Sequence, residues 1–145
     1  MPTINEAKIK IESRIENLDG AGLPEGDVER AEVETSGFYY YSDDAVRLTY
    51  TEENEGGRAE SEIIWHGGAL TVKRSGAIRS EMVFKPGEVH QSLYSVSAYS
   101  FDVSVKPRRM QVELDAGGGK IDLLYNMTIG GADKAVRMKI WIQTN

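Results

Sequence analysis

Apolar and polar residues alternate with a period of two along most of the chain. In the first such stretch, Ile9, Ile11 and Ile15 alternate with charged residues, a pattern typical of a β-strand with one buried face. Comparable stretches are residues 46–50, 63–65, 70–72, 82–84, 101–105, 110–114, 121–129 and 136–142. β-branched and aromatic residues are frequent in these stretches, as a pleated surface favours. The pattern therefore predicts an all-β protein.

Short turn sequences separate the stretches, among them HGGA, KPGE and GGAD. Short connections join antiparallel neighbours as hairpins, whereas parallel strands need long crossovers. Residues 18–27, LDGAGLPEGD, form the longest connection and the most mobile loop, and no stretch gives a convincing helix. Strands with one apolar face bury it in a sandwich or a barrel, and a meander favours the barrel. We therefore expect one domain over residues 1–145, an antiparallel meander barrel of about eight to ten strands.

The composition excludes several classes of function. The 145 residues include no cysteine, which excludes disulfides, thiolate catalysis and cysteine-ligated zinc. The formal net charge is −6, with acidic residues spread along the chain, so a nucleic acid partner would be repelled. The first residues, MPTINEAKIKIES, lack the apolar core of a leader, and no run of about eighteen apolar residues occurs. We expect a soluble, cytoplasmic protein without membrane insertion and without a cofactor.

Several stretches occur in an order that resembles a known family. They are TSGFYYY (35–41), LTYTEE (48–53), TVKRSGAI (71–78), EMVF (81–84) and GGKIDLLYNM (118–127). Together they resemble the YwiB-like bacterial family, a domain of unknown function, over nearly the whole chain. The resemblance implies a calycin-type barrel, shaped like lipocalins and fatty-acid-binding proteins, and no assigned reaction. The segment SVSAYSF (95–101) departs from the family's usual turn, which leaves the inward or outward sense of Tyr94 and Tyr99 open.

Two opposite charges fall on positions that the alternation assigns to the interior. Glu52 follows Tyr50 by two positions, and Arg74 follows Val72 by two, so each charge shares the apolar face of its strand. An unpaired ion inside a barrel is strongly unfavourable. We therefore expect Glu52 and Arg74 to meet near one mouth of the barrel, because a guanidinium can hold a carboxylate bidentately. The hydroxyls of Tyr50 and Tyr125 are expected nearby.

Three interpretations of Arg74 remain open. It forms a structural ion pair with Glu52 that closes one barrel end, or it holds the anionic head group of an amphipathic ligand, or a bulge at Gly76 or Asn54 turns one charge outward. In the second case, the ligand's apolar tail lies among Leu48, Val72, Met82, Phe84 and Leu123. The candidate ligand-binding residues are Arg74, Glu52, Tyr50, Tyr125, Met82 and Phe84. Removal of Arg74 is expected to cost about 3–5 kcal/mol where it leaves Glu52 buried and unpaired.

No recognisable catalytic constellation accompanies these residues, so we expect no enzymatic activity. His66 and His90 are expected at turn or outward positions, which argues against an interior haem ligand. The segment TEENEGG (51–57) offers oxygen ligands without the spacing of an EF-hand, and we expect no metal site there. Glu60 and Glu62 share an outward face and do not form a glycosidase pair.

Two function classes remain. The first is a non-enzymatic binder of a small amphipathic, anionic molecule inside the barrel. The second is an interaction or assembly module whose interior is filled by side chains. The aromatic run 38–41 places two rings on each face of its strand, and the outward pair would suit the contact of a homodimer. The volume left in the interior separates the two classes, because small barrels are either packed solid or hold one ligand.

Overall fold

The computed structural model describes residues 2–54 and 57–145, and these residues form ten β-strands. The strands are β1 (Thr3–Leu18), β2 (Pro24–Tyr41), β3 (Ala45–Asn54), β4 (Gly57–His66), β5 (Ala69–Gly76), β6 (Ile78–Phe84), β7 (His90–Val96), β8 (Tyr99–Asp115), β9 (Gly118–Ile129) and β10 (Ala132–Thr144). Within the described ranges, no helix is long and apolar enough to cross a membrane.

Each strand pairs antiparallel with the next one along the chain, and β10 returns to pair with β1, which closes the sheet into a barrel. The closing ladder runs from Ala7 opposite Thr144 to Asn17 opposite Lys134. Closure leaves none of the described strands with one side wholly unpaired, as the two edge strands of an open sheet would be. The predicted all-β antiparallel meander barrel is therefore confirmed, with ten strands in the described part of the chain.

The interior is built from the residues that the alternation assigns to it. Ile9, Leu48, Leu70, Phe84 and Leu123 come from five different strands, and each has at most 2% of its surface exposed. Burying each of these side chains contributes roughly 1.5–3 kcal/mol to the stability of the barrel. The centre of the barrel is therefore filled by side chains and acts as its hydrophobic core.

Half of the longest connection predicted from the sequence, residues 18–27, is strand. β2 begins at Pro24, so only residues 19–23 connect β1 to β2. The carboxylate of Asp19 accepts hydrogen bonds from the backbone N–H groups of Leu23 and Ala21, at 2.9 and 2.8 Å, and these bonds lower the pKa of Asp19. The prediction of a long loop was wrong because proline and glycine suggest a turn, whereas an edge strand tolerates both.

The β8–β9 hairpin covers one end of the barrel. β8 pairs with β9 along residues 103–115, but with β7 only along residues 99–105. The hairpin therefore extends beyond β7 and reaches across the barrel end to β2. There the hydroxyl of Tyr39 donates a 2.8 Å hydrogen bond to the backbone carbonyl oxygen of Asp115. This contact closes one end of the barrel.

The β1–β2 hairpin extends beyond the opposite end. β2 pairs with β1 along most of its length, but with β3 only along residues 37–41. Among the described residues, no strand pairs with the other edge of residues 24–36. β2 and β3 therefore separate at this end, and a gap opens between the β1–β2 and β3–β4 hairpins.

Segment 95–101, which departs from the family's usual sequence, contains a two-residue hairpin turn. Ser97 and Ala98 join β7 to β8, and Ser97 has a φ of 52°, in the left-handed region that such tight turns use. Tyr94 packs against the hydrophobic core opposite Phe101. Tyr99 follows the turn and is 68% exposed. The two tyrosines therefore differ in environment, with Tyr94 inside and Tyr99 at the rim.

Gly37 provides a test of the close approach between β2 and β3. A side chain at Gly37 would overlap the backbone carbonyl oxygen of Thr49, which belongs to the β2–β3 ladder and cannot move aside freely. We expect Gly37→Ala to lower the free energy of unfolding by about 1–3 kcal/mol. Gly20→Ala is the matched control, because nothing lies within 4 Å of a methyl group placed there. Urea unfolding followed by tryptophan fluorescence measures both variants, and equal midpoints would contradict the close approach.

Candidate functional site at the open end of the barrel

Glu52 and Arg74 lie together at the open end of the barrel. The Nε atom of Arg74 is 3.3 Å from Oε2 of Glu52, and the two side chains are 31% and 17% exposed, respectively. Tyr50, two residues before Glu52 on the same face of β3, is 7% exposed. Neither charge is turned outward, so the interpretation that invokes a bulge at Gly76 or Asn54 is wrong.

The ion pair leaves donor capacity on the guanidinium. The buried Nε–H group of Arg74 lies near Glu52 but does not point along a hydrogen bond, and Nε has no hydrogen-bond partner in the described part of the chain. Strong charge-assisted hydrogen bonds are shorter and better directed than this contact. Arg74 is therefore held mainly by electrostatic attraction, and its guanidinium can still donate to a further acceptor.

A row of polar side chains crosses the interior at the level of Arg74. Across β3 to β7, Tyr50 lies opposite Ser61, Ser61 opposite Arg74, Arg74 opposite Ser80 and Ser80 opposite Tyr94. Ser61 and Ser80 are 3% and 9% exposed, and the hydroxyl of Ser61 has no hydrogen-bond partner among the described residues. A buried hydroxyl without a partner costs roughly 1–3 kcal/mol. The row is therefore a place where polar groups of a ligand or water would be stabilised.

Neither serine of this row is among the residues that the sequence predicts for the site. Ser61 precedes Ile63 by two positions, and Ser80 precedes Met82 by two, so the alternation that located Arg74 also locates them. They escaped notice because a small polar residue next to a strand's last apolar residue resembles the beginning of a turn.

Tyr50 and Tyr125 have raised pKa values. Burial raises the pKa of Tyr50 to about 12, and the charge of Glu52 raises it further while Arg74 lowers it. Burial raises the pKa of Tyr125 to about 12 as well, with Arg74 acting in the opposite direction. Because tyrosines of the unfolded chain titrate near 10, the unfolded state releases these protons first. The contribution of the two groups to stability is therefore intact below pH 10 and decreases up to about pH 12.

A cavity of about 680 Å³ opens beside the ion pair, in the gap between the β1–β2 and β3–β4 hairpins. Glu52, Arg74 and Tyr50 form its polar side. Its apolar side, which we call the apolar bed, consists of Ile11, Val33, Val72, Ile78 and Met138. Small-molecule sites usually have volumes of roughly 300–1,000 Å³. The cavity therefore has the size and the mixed polarity of a site for a small amphipathic molecule.

The other three candidate residues lie deeper in the barrel. Phe84 is fully buried, and its ring centroid is 4.6 Å from that of Tyr125. Met82 packs against the hydrophobic core, and none of the three lines the cavity at the open end. Of the residues predicted to surround a ligand tail, Val72 lines the cavity, whereas Leu48, Met82, Phe84 and Leu123 do not, because they belong to the core or pack against it. The apolar surface open to a ligand lies nearer the mouth, on the apolar bed.

One histidine lies where the sequence predicts it and the other does not. His66 is exposed at the end of β4. His90 lies opposite Val105, which is 1% exposed, so it shares the interior side, and the prediction of an outward position was wrong. Its Nδ1 atom accepts a 3.4 Å hydrogen bond from the backbone N–H of Val83. The error arose because Leu93 was taken as the inward residue, although it is 57% exposed.

The acidic segment 51–57 lies only partly within the described residues, because Glu55 and Gly56 fall outside them. Across residues 2–54 and 57–145, no group of three histidine, aspartate or glutamate side chains is arranged to hold a metal ion. Glu62 forms an ion pair with Arg47 on the outer wall, with Oε2 and Nη2 2.6 Å apart. Its outward direction agrees with the alternation.

The aromatic run 38–41 divides between the two faces of β2. Tyr39 and Tyr41 lie on the interior face, with ring centroids 6.3 Å apart. On the outer face, the guanidinium of Arg47 lies over the ring of Tyr40, 5.0 Å from its centroid, and Phe38 is 48% exposed. Arg47 thus covers one of the two outward rings, and the contact patch for a second subunit stays a prediction.

The coupling between Arg74 and Glu52 can be measured by a double-mutant cycle. We expect Arg74→Met to lower the free energy of unfolding by about 1–3 kcal/mol, because it leaves Glu52 buried without its counter-ion. This is less than the sequence suggests, since Arg74 is 31% exposed and water screens part of the interaction. The double variant Arg74→Met/Glu52→Gln should recover part of the loss.

The matched control for this cycle is Arg47→Met, which breaks an ion pair between β3 and β4 on the outer wall. We expect it to change stability by less than about 1 kcal/mol, as exposed pairs do. Urea unfolding of all the variants provides the comparison. Strictly additive losses for Arg74→Met and Glu52→Gln would show that the two side chains are not coupled.

Comparisons with known proteins agree with this architecture. The family model described as a domain of unknown function (DUF1934) matches residues 9–140 of the chain. The uncharacterized beta-barrel protein YwiB of Bacillus subtilis (strain 168) is 30% identical over 106 residues, which cover 73% of this chain and 75% of that protein. The crystal structure of the ywiB protein from Bacillus subtilis matches 98% of this chain and 93% of its own, with a TM-score of 0.85 and 27% identity. The resemblance noted in the sequence is confirmed, whereas a likeness to lipocalins and a cytoplasmic location stay predictions.

Proposed function

The chain belongs to the domain-of-unknown-function family DUF1934, and on that premise we propose that it binds a small amphipathic anion at the open end of its barrel. In this proposal the protein is a binder without enzymatic activity. Arg74 receives the anionic head group, and the apolar bed receives the tail. The observation that carries the proposal is a partly exposed guanidinium, held on one side by Glu52, beside a cavity of about 680 Å³.

The head group would be bound by the part of Arg74 that Glu52 does not occupy. A guanidinium has five N–H donors in a rigid plane, and the contact recorded with Glu52 is made by Nε. The terminal nitrogens therefore suit a carboxylate, which accepts two parallel hydrogen bonds. Glu34 and Glu53 also line the cavity, but both are exposed at its rim, where solvent screens their repulsion of an anion.

The tail would cover apolar surface that is now open to water. Val33 lies opposite Ile11 on the inner side of the β1–β2 hairpin, yet Val33 is 40% exposed because β3 does not pair with this part of β2. Exposed apolar surface grouped at a cavity indicates a binding site more often than chance exposure does. A short alkyl chain would remove it from water.

Fatty-acid titration tests the proposal. We expect decanoate to bind the wild-type protein at least tenfold more tightly than Arg74→Met, a change that corresponds to about 1.4 kcal/mol for the lost head-group contact. Arg47→Met should bind decanoate like the wild type, because Arg47 lies on the outer wall. Decan-1-ol, which lacks the charge, should not distinguish the three proteins. Isothermal titration measures the affinities, and native mass spectrometry of protein freshly purified from cells shows whether a ligand is already bound.

Two outcomes would contradict the proposal. One is the combination of two results. Native mass spectrometry shows no adduct, and fatty acids of six to sixteen carbons, roughly the lengths that a site of this size accommodates, do not change the melting temperature. The other is equal binding of decanoate by the wild type and Arg74→Met.

The free edge of β2 favours a second candidate function, an interaction module. The N–H and C=O groups on one side of residues 24–36 have no strand partner in the described part of the chain. An edge of this kind can accept an extended segment of another protein as an additional strand. The segment PEGDVERAEVETS contains five carboxylates and one arginine. In this alternative the partner is an extended, lysine- or arginine-rich segment, because a second copy of the same acidic edge would be repelled.

Peptide titration by NMR tests this second function. We expect the peptide KVKVKVKV to shift the amide resonances of residues 24–36 and to slow their hydrogen exchange, because these amides gain strand partners. The matched peptide EVEVEVEV should have no effect, since its charge repels the edge. Shifts spread evenly over the protein, or equal shifts with both peptides, would rule out strand addition at this edge.

A further inference from the structure

Three arginines stand side by side on the outer wall of the barrel. Arg30 of β2 lies opposite Arg14 of β1, and Arg14 lies opposite Arg137 of β10. Neighbouring strands are about 5 Å apart, so the row spans about 10 Å. Like charges at directly opposed positions destabilise a sheet. In a chain with a net charge of −6, such an arrangement is unfavourable for stability unless an anion binds to it.

Carboxylates hold two of the three arginines in position. The Nη2 atom of Arg14 is 2.7 Å from Oε1 of Glu16. The Nη2 atom of Arg137 is 3.1 Å from Oδ2 of Asp122, which is 7% exposed. Within the described ranges, no acidic side chain forms an ion pair with Arg30. The row therefore combines two oriented guanidinium groups with one that is free to bind.

The two carboxylates of the neighbouring row share one lysine. The Nζ atom of Lys10 is 3.5 Å from Glu12 and 3.3 Å from Glu32. Lys139 lies opposite Glu12 and adds a further positive charge. Glu12, Glu32, Lys139 and the three arginines all line one shallow recess of about 540 Å³. The positive charge of the recess thus exceeds what its own carboxylates neutralise.

We propose that this arginine row, formed by Arg14, Arg30 and Arg137, binds a phosphate group. The planar guanidinium matches the oxygens of a phosphate, with two parallel hydrogen bonds from one arginine. Arg30 contributes the free donors, and a bound phosphate would remove the repulsion between opposed arginines. This site is on the outer wall and does not depend on the function proposed for the open end of the barrel.

Thermal unfolding with inorganic pyrophosphate tests the proposal. We expect pyrophosphate to raise the melting temperature of the wild type more than sodium chloride does at the same ionic strength. The dissociation constant of pyrophosphate should be at least fivefold higher for Arg30→Thr than for the wild type. Without phosphate, Arg30→Thr should melt at the same or a higher temperature than the wild type, because a like-charge contact is removed. Arg79→Thr is the control, since Arg79 is an exposed strand arginine opposite Ser95.

The source of the phosphate is determined by a second measurement. Co-sedimentation with phosphatidylglycerol vesicles that is lost in Arg30→Thr would identify a lipid head group, and pyrophosphate binding without co-sedimentation would identify a soluble phosphate. The proposal is wrong if pyrophosphate acts no more strongly than sodium chloride, or if Arg30→Thr and Arg79→Thr retain the same affinity as the wild type.

Discussion

The closure of one antiparallel ladder, from β1 through all the strands to β10, determines the other features of this structure. Once the ladder is closed, alternate side chains can only point into the barrel, and a shift by a single residue would move every core side chain to the outside. The same constraint brings Glu52 and Arg74 inside, because they continue the apolar faces of β3 and β5. The unequal lengths of the hairpins then make the two ends different: β8–β9 covers one, and β1–β2 leaves the other open.

Much of this could be predicted from the sequence, because strands with one buried face carry a two-residue period. The barrel, the inward position of Arg74 and its proximity to Glu52 all follow from that period. The length of β2 does not, since residues 24–27 contain proline and glycine and only pairing with β1 shows that they are strand. His90 was assigned to the wrong face because the exposed Leu93 resembles a core residue. Near the ends of strands both faces contact water, so the residue type does not show which face points into the barrel.

The interior is neither fully packed nor hollow, and this bears on the two function classes. Around Phe84 and Leu123 the side chains leave no room for a ligand, which is the filled interior expected of an interaction module. Toward the open end, the polar row containing Ser61 and Arg74 separates this packed core from the cavity. A ligand bound there would lie on top of the core and not within it. Its affinity would therefore depend on a head-group contact at the polar row and on a short stretch of apolar surface, which favours a small molecule over a long-chain lipid.

Elsewhere on the wall of the barrel, charged side chains of neighbouring strands form ion pairs, as Arg47 with Glu62 and Lys10 with Glu32 illustrate. Two places among the described residues lack part of this compensation. Inside, the buried hydroxyl of Ser61 has no hydrogen-bond partner among the described residues, and it lies next to a guanidinium that is only partly neutralised. Outside, opposed arginines repel across β2, β1 and β10. Both places are unfavourable for stability. Inside, Nε of Arg74 has no hydrogen-bond acceptor in the described part of the chain; outside, Arg30 has no ion-pair partner there, whereas carboxylates hold Arg14 and Arg137. Because local rules are often broken at functional sites, these are the two positions at which we propose that an anion binds.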